Sequence, residues 1–314
     1  MFRLITRRLT QIIPVLLVMS LAVFALTDLL PGDPTITVLG ENATPQQREA
    51  LRRDMGLDQS APLRYVDWMA RTVTGDFGRS LRTREPVTAM IAARLPVTVQ
   101  LTLFSMLVAV LIGVPAGVLA ALKRNTVVDL LVSITALTGM ALPFFWAGIL
   151  LIRLFSIKLG WLPPSGYVPF WTNPGRNLLL MILPSLTVGG AMAGLIMRQT
   201  RSAMLQTLSQ DFVRTARAKG VPEREVVIRH ALRSALLPVV TVIGLQSGAL
   251  IGGAVVTETI FSLPGLGTMI VDGIFQRDFA VIQGALLTVV LAVVVVNLLT
   301  DLTYGLLDRR VRFA

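Results

Sequence analysis

The sequence contains no cysteine and a single histidine, His230. Disulfide frameworks, thiolate redox chemistry, structural zinc and histidine-cluster metal sites are thereby excluded. Charge is scarce too: 15% of the 314 residues are charged, against about 25% in ordinary soluble domains, and 54% are hydrophobic. Mean hydropathy is +0.70. No Gly-x-x-x-x-Gly-Lys-[Ser/Thr] phosphate loop occurs, and the Lys219-Gly220 pair runs in the wrong order for one. A Gly-x-Ser-x-Gly nucleophile elbow is also missing. What is present is a series of apolar blocks of about twenty residues, each long enough to cross the ~30 Å hydrocarbon core of a bilayer as a helix. A soluble enzyme, a disordered tail and a secreted scaffold are excluded. This is the composition of an integral membrane protein.

Six stretches qualify as spans: Leu9–Leu30, Val97–Leu122, Val127–Ile152 with Pro143 inside it, Leu178–Met197, Leu237–Thr257 and Ala280–Thr300. Pro115 and Pro184 also fall within spans, where helices bend but survive if neighbours satisfy the freed carbonyls. The N-terminal apolar run is too long for the ~7–15 residues of a signal-peptide core and lacks a small-x-small cleavage site. It reads as an uncleaved first span.

The net charge of +11 invites a nucleic-acid reading, but the positions argue otherwise. Sixteen of the 29 basic residues fall on one face: Arg3, Arg7 and Arg8, Lys123 and Arg124, eight between spans four and five, and Arg309, Arg310 and Arg312. The two shorter connections of the other face hold four, and nine more lie in the long Pro31–Pro96 segment beside eight acids. Long translocated segments are largely exempt from the positive-inside rule. Both termini are therefore expected on the cytoplasmic side, and the positive charge serves topology rather than nucleic acid. Within the spans the ionisable groups identified, Asp28, Arg153 and Asp301, sit near the ends, which argues against a proton-relaying carrier.

Two connections stand out. Pro31–Pro96 opens on Pro31-Gly32-Asp33-Pro34, which turns the chain at the outer surface. Thr44-Pro45-Gln46-Gln47 then has the form of a helix start, with Thr44 as N-cap and Gln47 in the capping-box position. Leu51, Met55, Leu63 and Trp68 could give that region an apolar face. The segment reads as a partly helical external subdomain, either a cap on the bundle or a docking surface.

In Arg198–Leu236, Leu205, Leu208, Phe212 and Ala216 repeat at helical spacing, while Arg214, Arg217 and Lys219 project elsewhere. Gly220 suits a left-handed C-cap, and Pro222 with Glu223 and Glu225 suits the first turn of a second short helix. The product is a cytoplasmic helix, a Gly-Val-Pro turn and another helix. In span five, Gly244, Gly248 and Gly252 recur every fourth residue beside Gln246 and Ser247. Such a face permits close helix approach; it serves packing within the bundle, or else a translocation path or packing against another subunit.

Taken in order, these residues resemble a known family. Leu30-Pro31-Gly32-Asp33-Pro34, Met55-Gly56-Leu57-Asp58, Gly75-Asp76-Phe77-Gly78-Arg79-Ser80 and Pro264-Gly265-Leu266-Gly267 carry the likeness, with Asp211 through Gly220 and Arg229-His230-Ala231-Leu232-Arg233 the most specific pieces. The chain resembles the first permease subunit of the ATP-binding-cassette importers for dipeptides, oligopeptides, glutathione and nickel. The resemblance implies an all-α membrane protein of the type I importer permease fold, with six transmembrane helices and both termini inside. Residues 1–95 would form the first helix and external segment, 96–305 the permease core, and 306–314 a cytoplasmic tail.

The connection at 198–236 is similar to the family's EAA loop, Glu-Ala-Ala-x-x-x-Gly-(nine residues)-Ile-x-Leu-Pro. Ala216, Gly220 and Leu232 match that frame, whereas Arg214, Thr215, His230 and Arg233 replace Glu, Ala, Ile and Pro. The resemblance implies that Asp211, Arg214, Ala216, Arg217, Lys219, Gly220 and Leu232 couple to a cytoplasmic ATPase. It further implies a homologous second permease, two ATPases carrying ATP and magnesium, an external solute-binding protein and a place in the bacterial cytoplasmic membrane. No cofactor and no catalytic residue is expected on this chain. A stand-alone carrier or channel, or a membrane-anchored scaffold or sensor, are the rival classes.

Overall fold

A computed structural model describes the backbone of residues 2–29, 35, 39–40, 42–54 and 56–307. The Leu30–Pro34 turn, Met55 and the basic residues Arg309, Arg310 and Arg312 lie outside the described residues, as do the side chains of Arg3, Arg7, Arg8, Asp28, Leu51 and Asp301. Among the described residues every regular element is a helix, apart from one isolated antiparallel bridge between Arg79 and Pro86.

In chain order these are α1 (Phe2–Leu29), α2 (Pro45–Asp54), α3 (Ala61–Val73), α4 (Val87–Leu122), α5 (Val127–Ala141) and α6 (Phe144–Leu151). After a π-helical extension of α6 over Ile152–Lys158 come α7 (Pro174–Leu208) and α8 (Asp211–Ala218). A short turn, Glu223–Glu225, then passes through a second π-helical stretch, Val226–Leu232, into α9 (Arg233–Gly253). The chain closes with α10 (Val255–Ile260), α11 (Leu266–Gln276) and α12 (Phe279–Leu307).

Among the described residues four helices, α4, α7, α9 and α12, are long and apolar enough to cross a membrane. The expected third span is not one helix bent at Pro143 but two, α5 and α6, which meet at 103°. Proline cannot donate the hydrogen bond that would continue α5, and it pushes the residue before it out of helical geometry. Leu142 accordingly sits at φ −75°, ψ 128°. Pro184, in contrast, lies inside the uninterrupted 35-residue α7. The described apolar part of α1, Ile12–Leu26, is shorter than a full span.

The chain forms two compact units, one built on Val99–Leu263 with the chain from Val295 onward, the other on Phe2–Thr98 with Pro264–Val294. In the first, α7 is the central helix: 67% of its apolar window is buried, against 28% for α9. Ile196 and Met204 of α7 pack with Ala109 of α4 and with Ala231, Ala235 and Val239 on the approach to and along α9. Small residues allow this. A methyl group added at Gly117 of α4 would lie 2.6 Å from the Met197 carbonyl oxygen, and one added at Gly194 would lie 2.6 Å from that of Ala136 in α5. The α4–α7 and α5–α7 pairs therefore meet backbone to backbone.

In the second unit, Val87 and Ile91 of α4 pack on Leu266 and Met269 of α11 and on Val281 and Ala285 of α12. Thr98 Oγ1 accepts the Leu266 amide at 2.8 Å. The external segment has the expected capping box: Gln47 N–H donates to Thr44 Oγ1 at 3.3 Å while Gln47 Oε1 accepts from the Thr44 amide at 3.0 Å. Its apolar contact is partly as expected. Trp68 joins Tyr65 and Phe24 in a cluster of aromatic rings, whereas Leu63 is exposed and contributes nothing to a core. Position 63 lies on the opposite side of α3 from that cluster, so its side chain faces out.

Candidate functional site

The connection between α7 and α9 is the most constructed surface of the chain. The periodicity through Leu205, Leu208, Phe212 and Ala216 suggested one helix ending at Gly220. Instead the helix breaks at Ser209 and Gln210, and a new one starts at Asp211. The restart rotates α8, so Val213 and Ala216 are its buried pair, against Val226, Leu208 and Val221, while Phe212 is exposed. Arg214 projects outward and approaches Asp211 at 3.6 Å. Such an exposed pair contributes little to stability.

Gly220 follows at φ +77°, the left-handed region that glycine adopts without penalty. Its amide donates to the Arg217 carbonyl, and Val221 N–H to that of Ala216. Arg217 then reaches across the turn. Its Nε and a terminal nitrogen donate to both oxygens of Glu223 at 3.0 and 2.6 Å. The hydrogen bonds from Arg217 hold the Glu223 carboxyl below its ordinary value, and the carboxylate raises Arg217 in turn. The bidentate fork closes the helix–turn–helix and leaves Arg214 and Lys219 outward. Leu232, one of the residues expected to couple, is half-buried against the α7 core and packs there.

The glycine face of α9 divides. Gly244 is buried and abuts Thr300 of α12, and Gly248 is buried too, but Gly252 is exposed with open space beside it. Gln246 and Ser247 are half-buried, and the Ser247 hydroxyl donates to the Ile243 carbonyl at 2.9 Å within its own helix. The structure therefore brings Gly244 and Gly248 into packing and leaves Gly252 outside it.

Several polar residues escaped the sequence reading. Asp129 lies within the third expected span, buried, and forms a bidentate pair with Arg201. Asn177, fully buried, exchanges hydrogen bonds with Gln100 and donates to the Val168 carbonyl at 2.7 Å. Glu258 of α10 is fully buried. Asp278, just before α12, accepts from Ser80 Oγ at 2.5 Å and from the Leu81 amide at 3.0 Å, anchoring the end of the Gly75–Ser80 motif. Long sequence separations hid these pairs. Only the isolated charge inside an apolar run could have flagged Asp129 and Glu258. Among the described residues no group of three or more His, Asp or Glu side chains is placed to hold a metal ion.

Long apolar helices with an amphipathic helix–turn–helix between two of them are the architecture of a multi-pass membrane protein. The chain belongs to the family of binding-protein-dependent transport system inner membrane components, whose family model matches residues 113–313; the model for the N-terminal segment of that family matches residues 1–102. It is 43% identical over 313 residues to a peptide transport system permease protein of Brucella abortus, covering all of both chains. It is 42% identical, again over the full length of both, to a glutathione transport system permease protein of Escherichia coli K12. An inward-facing methionine ABC transporter superposes with TM-score 0.59 at 20% identity, covering 71% of this chain and 99% of that one. At that identity the likeness concerns the fold. The protein is the permease subunit of an ABC importer, a transport component rather than a catalyst, with ATP hydrolysis on a separate subunit.

Proposed function

We propose that this chain carries di- or oligopeptides, or the related tripeptide glutathione, across the bacterial cytoplasmic membrane by alternating access. It does so beside a homologous second permease, with both termini and the α8 loop on the cytoplasmic side. The external solute-binding protein delivers substrate, and two ATPases, which hold ATP and magnesium, drive the cycle; this chain binds no cofactor. The observation that carries the reading is the α8–Gly220–Glu223 unit. Its buried face is occupied by its own loop, its cationic face is outward, and its left-handed turn is braced by the Arg217–Glu223 fork. A short rigid element of this kind, two residues from the end of α7, is suited to receive a push and pass it to a span. Full-length relatives named for peptide and glutathione transport support the substrate class.

The test is to purify the chain with its partners, reconstitute it in vesicles and offer a panel of dipeptides, longer peptides, glutathione and nickel complexes with the binding protein. Peptide or glutathione should stimulate ATP hydrolysis and accumulate inside. Stimulation by nickel alone would move the substrate assignment to the metal branch. Uptake without any ATPase would overturn the reading.

A further inference from the structure

Arg201 lies on α7, seven residues before the helix ends, and α8 begins three residues after that end. Its Nε donates to Asp129 Oδ1 at 2.6 Å and a terminal nitrogen to Asp129 Oδ2 at 2.8 Å. Asp129 sits in the first turn of α5 and is only 5% exposed. Its Oδ2 also accepts the amide of Asn125 at 3.0 Å, a residue held at φ +61° in the turn from α4. The backbone at Arg201 is itself confined, because a methyl group on Gly117 of α4 would lie 3.1 Å from the Arg201 nitrogen. Two turns further up α7, Gly194 meets the carbonyl of Ala136.

We propose that the Asp129–Arg201 fork is the joint that makes α5 move with α7, so that displacement of α8 reaches the break at Leu142-Pro143 and the half-span α6. Three features support this. A guanidinium–carboxylate fork fixes both distance and rotation, which apolar contacts do not. The Asp129 side chain is buried while that of Arg201 is 31% exposed, and a partly buried ion pair seldom stabilises more than well-packed apolar side chains, so geometry is the better reason for this one. The glycine contact at Gly194 would let α5 and α7 slide over a smooth surface, and the fork removes that freedom. Asp129 and Arg201 are positioning residues: the fork acts through the two helices it joins.

The proposal rests on α8 as the ATPase docking element, and the experiment separates the two. The complete complex, with the second permease, ATPases and binding protein, is reconstituted with Asp129→Asn, Arg201→Gln, Arg201→Lys or the exchange Asp129→Arg with Arg201→Asp. ATPase should co-purify as in the wild type, and ATP should still be hydrolysed. Solute taken up per ATP should fall about tenfold in Asp129→Asn and Arg201→Gln, within the usual range of coupling free energies. Arg201→Lys should fall less, as a point charge without the fork, and the exchange should recover part of the loss.

A second measurement uses the absence of cysteine in this chain. Asp129→Cys with Arg201→Cys should be uncoupled when free and recoupled by a short bifunctional thiol cross-linker. Wild-type uptake per ATP in assembled Asp129→Asn would overturn the proposal. So would loss of assembly in Arg201→Lys, which would make the pair purely structural, or a cross-linked protein that stays uncoupled. Failure of the docking reading appears separately, as normal ATPase retention and uptake in Gly220→Val.

Discussion

The glycines of α9 and those of the α4–α7 pair are used differently. On α9 the series is regular, Gly244, Gly248 and Gly252, yet its last member faces open space. On α4 and α7 the glycines are less regularly spaced, but Gly113, Gly117, Gly189 and Gly194 are all pressed against a neighbouring backbone carbonyl. Spacing states which residues share a face. It does not state whether another helix occupies that face. Occupancy follows from where the chain's other apolar surfaces go, and α7 is the helix they surround.

The largest effect should come from Gly117→Leu, which forces a branched side chain into the Met197 carbonyl and Thr200. Overpacking typically costs about 1–3 kcal/mol and sometimes more, and here backbone must give way, so poor insertion or degradation is expected in a membrane-expression assay. The same change at Gly252 should leave expression of this chain at the wild-type level, because nothing lies within contact. Equal damage at both positions would erase the distinction between the two helices.

Next in size is Gly220→Val. A β-branched residue held in left-handed geometry costs on the order of 1–3 kcal/mol, at a turn where no neighbour would clash. Expression should be normal, while ATPase co-purification and uptake fall together. Arg217→Glu should act in the same direction with a smaller loss, by breaking the fork to Glu223 and placing two carboxylates across the turn.

The smallest effect concerns pH. The Glu223 carboxyl is held below its ordinary value by Arg217. Its contribution to the turn is therefore complete above the unfolded carboxylate pKa and is lost as pH falls through the lowered folded value. Both groups are well exposed, so solvent screening keeps the effect small. Hydrogen exchange at Val221 should accelerate, relative to the intrinsic rate, only in acid, and Glu223→Gln should abolish that dependence.

Much of the fold was legible because each apolar helix is specified locally by composition. The Thr44–Gln47 capping box, the left-handed Gly220 and the Pro222 start of the second helix were legible for the same reason: each is decided within four residues. The restart of α8 at Asp211 was not, since leucine and phenylalanine at helical spacing continue smoothly through Ser209-Gln210. Only burial of Val213 against Val226 reveals the rotation. The depth of the break at Pro143 was underestimated because Pro184 shows that a proline can also lie within an unbroken helix. Asp129–Arg201 and Ser80–Asp278 join residues 72 and 198 positions apart, which no local pattern encodes.

The central claim is that α8 links this permease to an ATPase. Vesicles containing the complete complex, assayed for solute-stimulated ATP hydrolysis and uptake side by side in wild type and Gly220→Val, test it most directly. The account predicts that the substitution removes ATPase from the purified complex and abolishes both activities while the permease itself remains inserted. Wild-type coupling in Gly220→Val would contradict it.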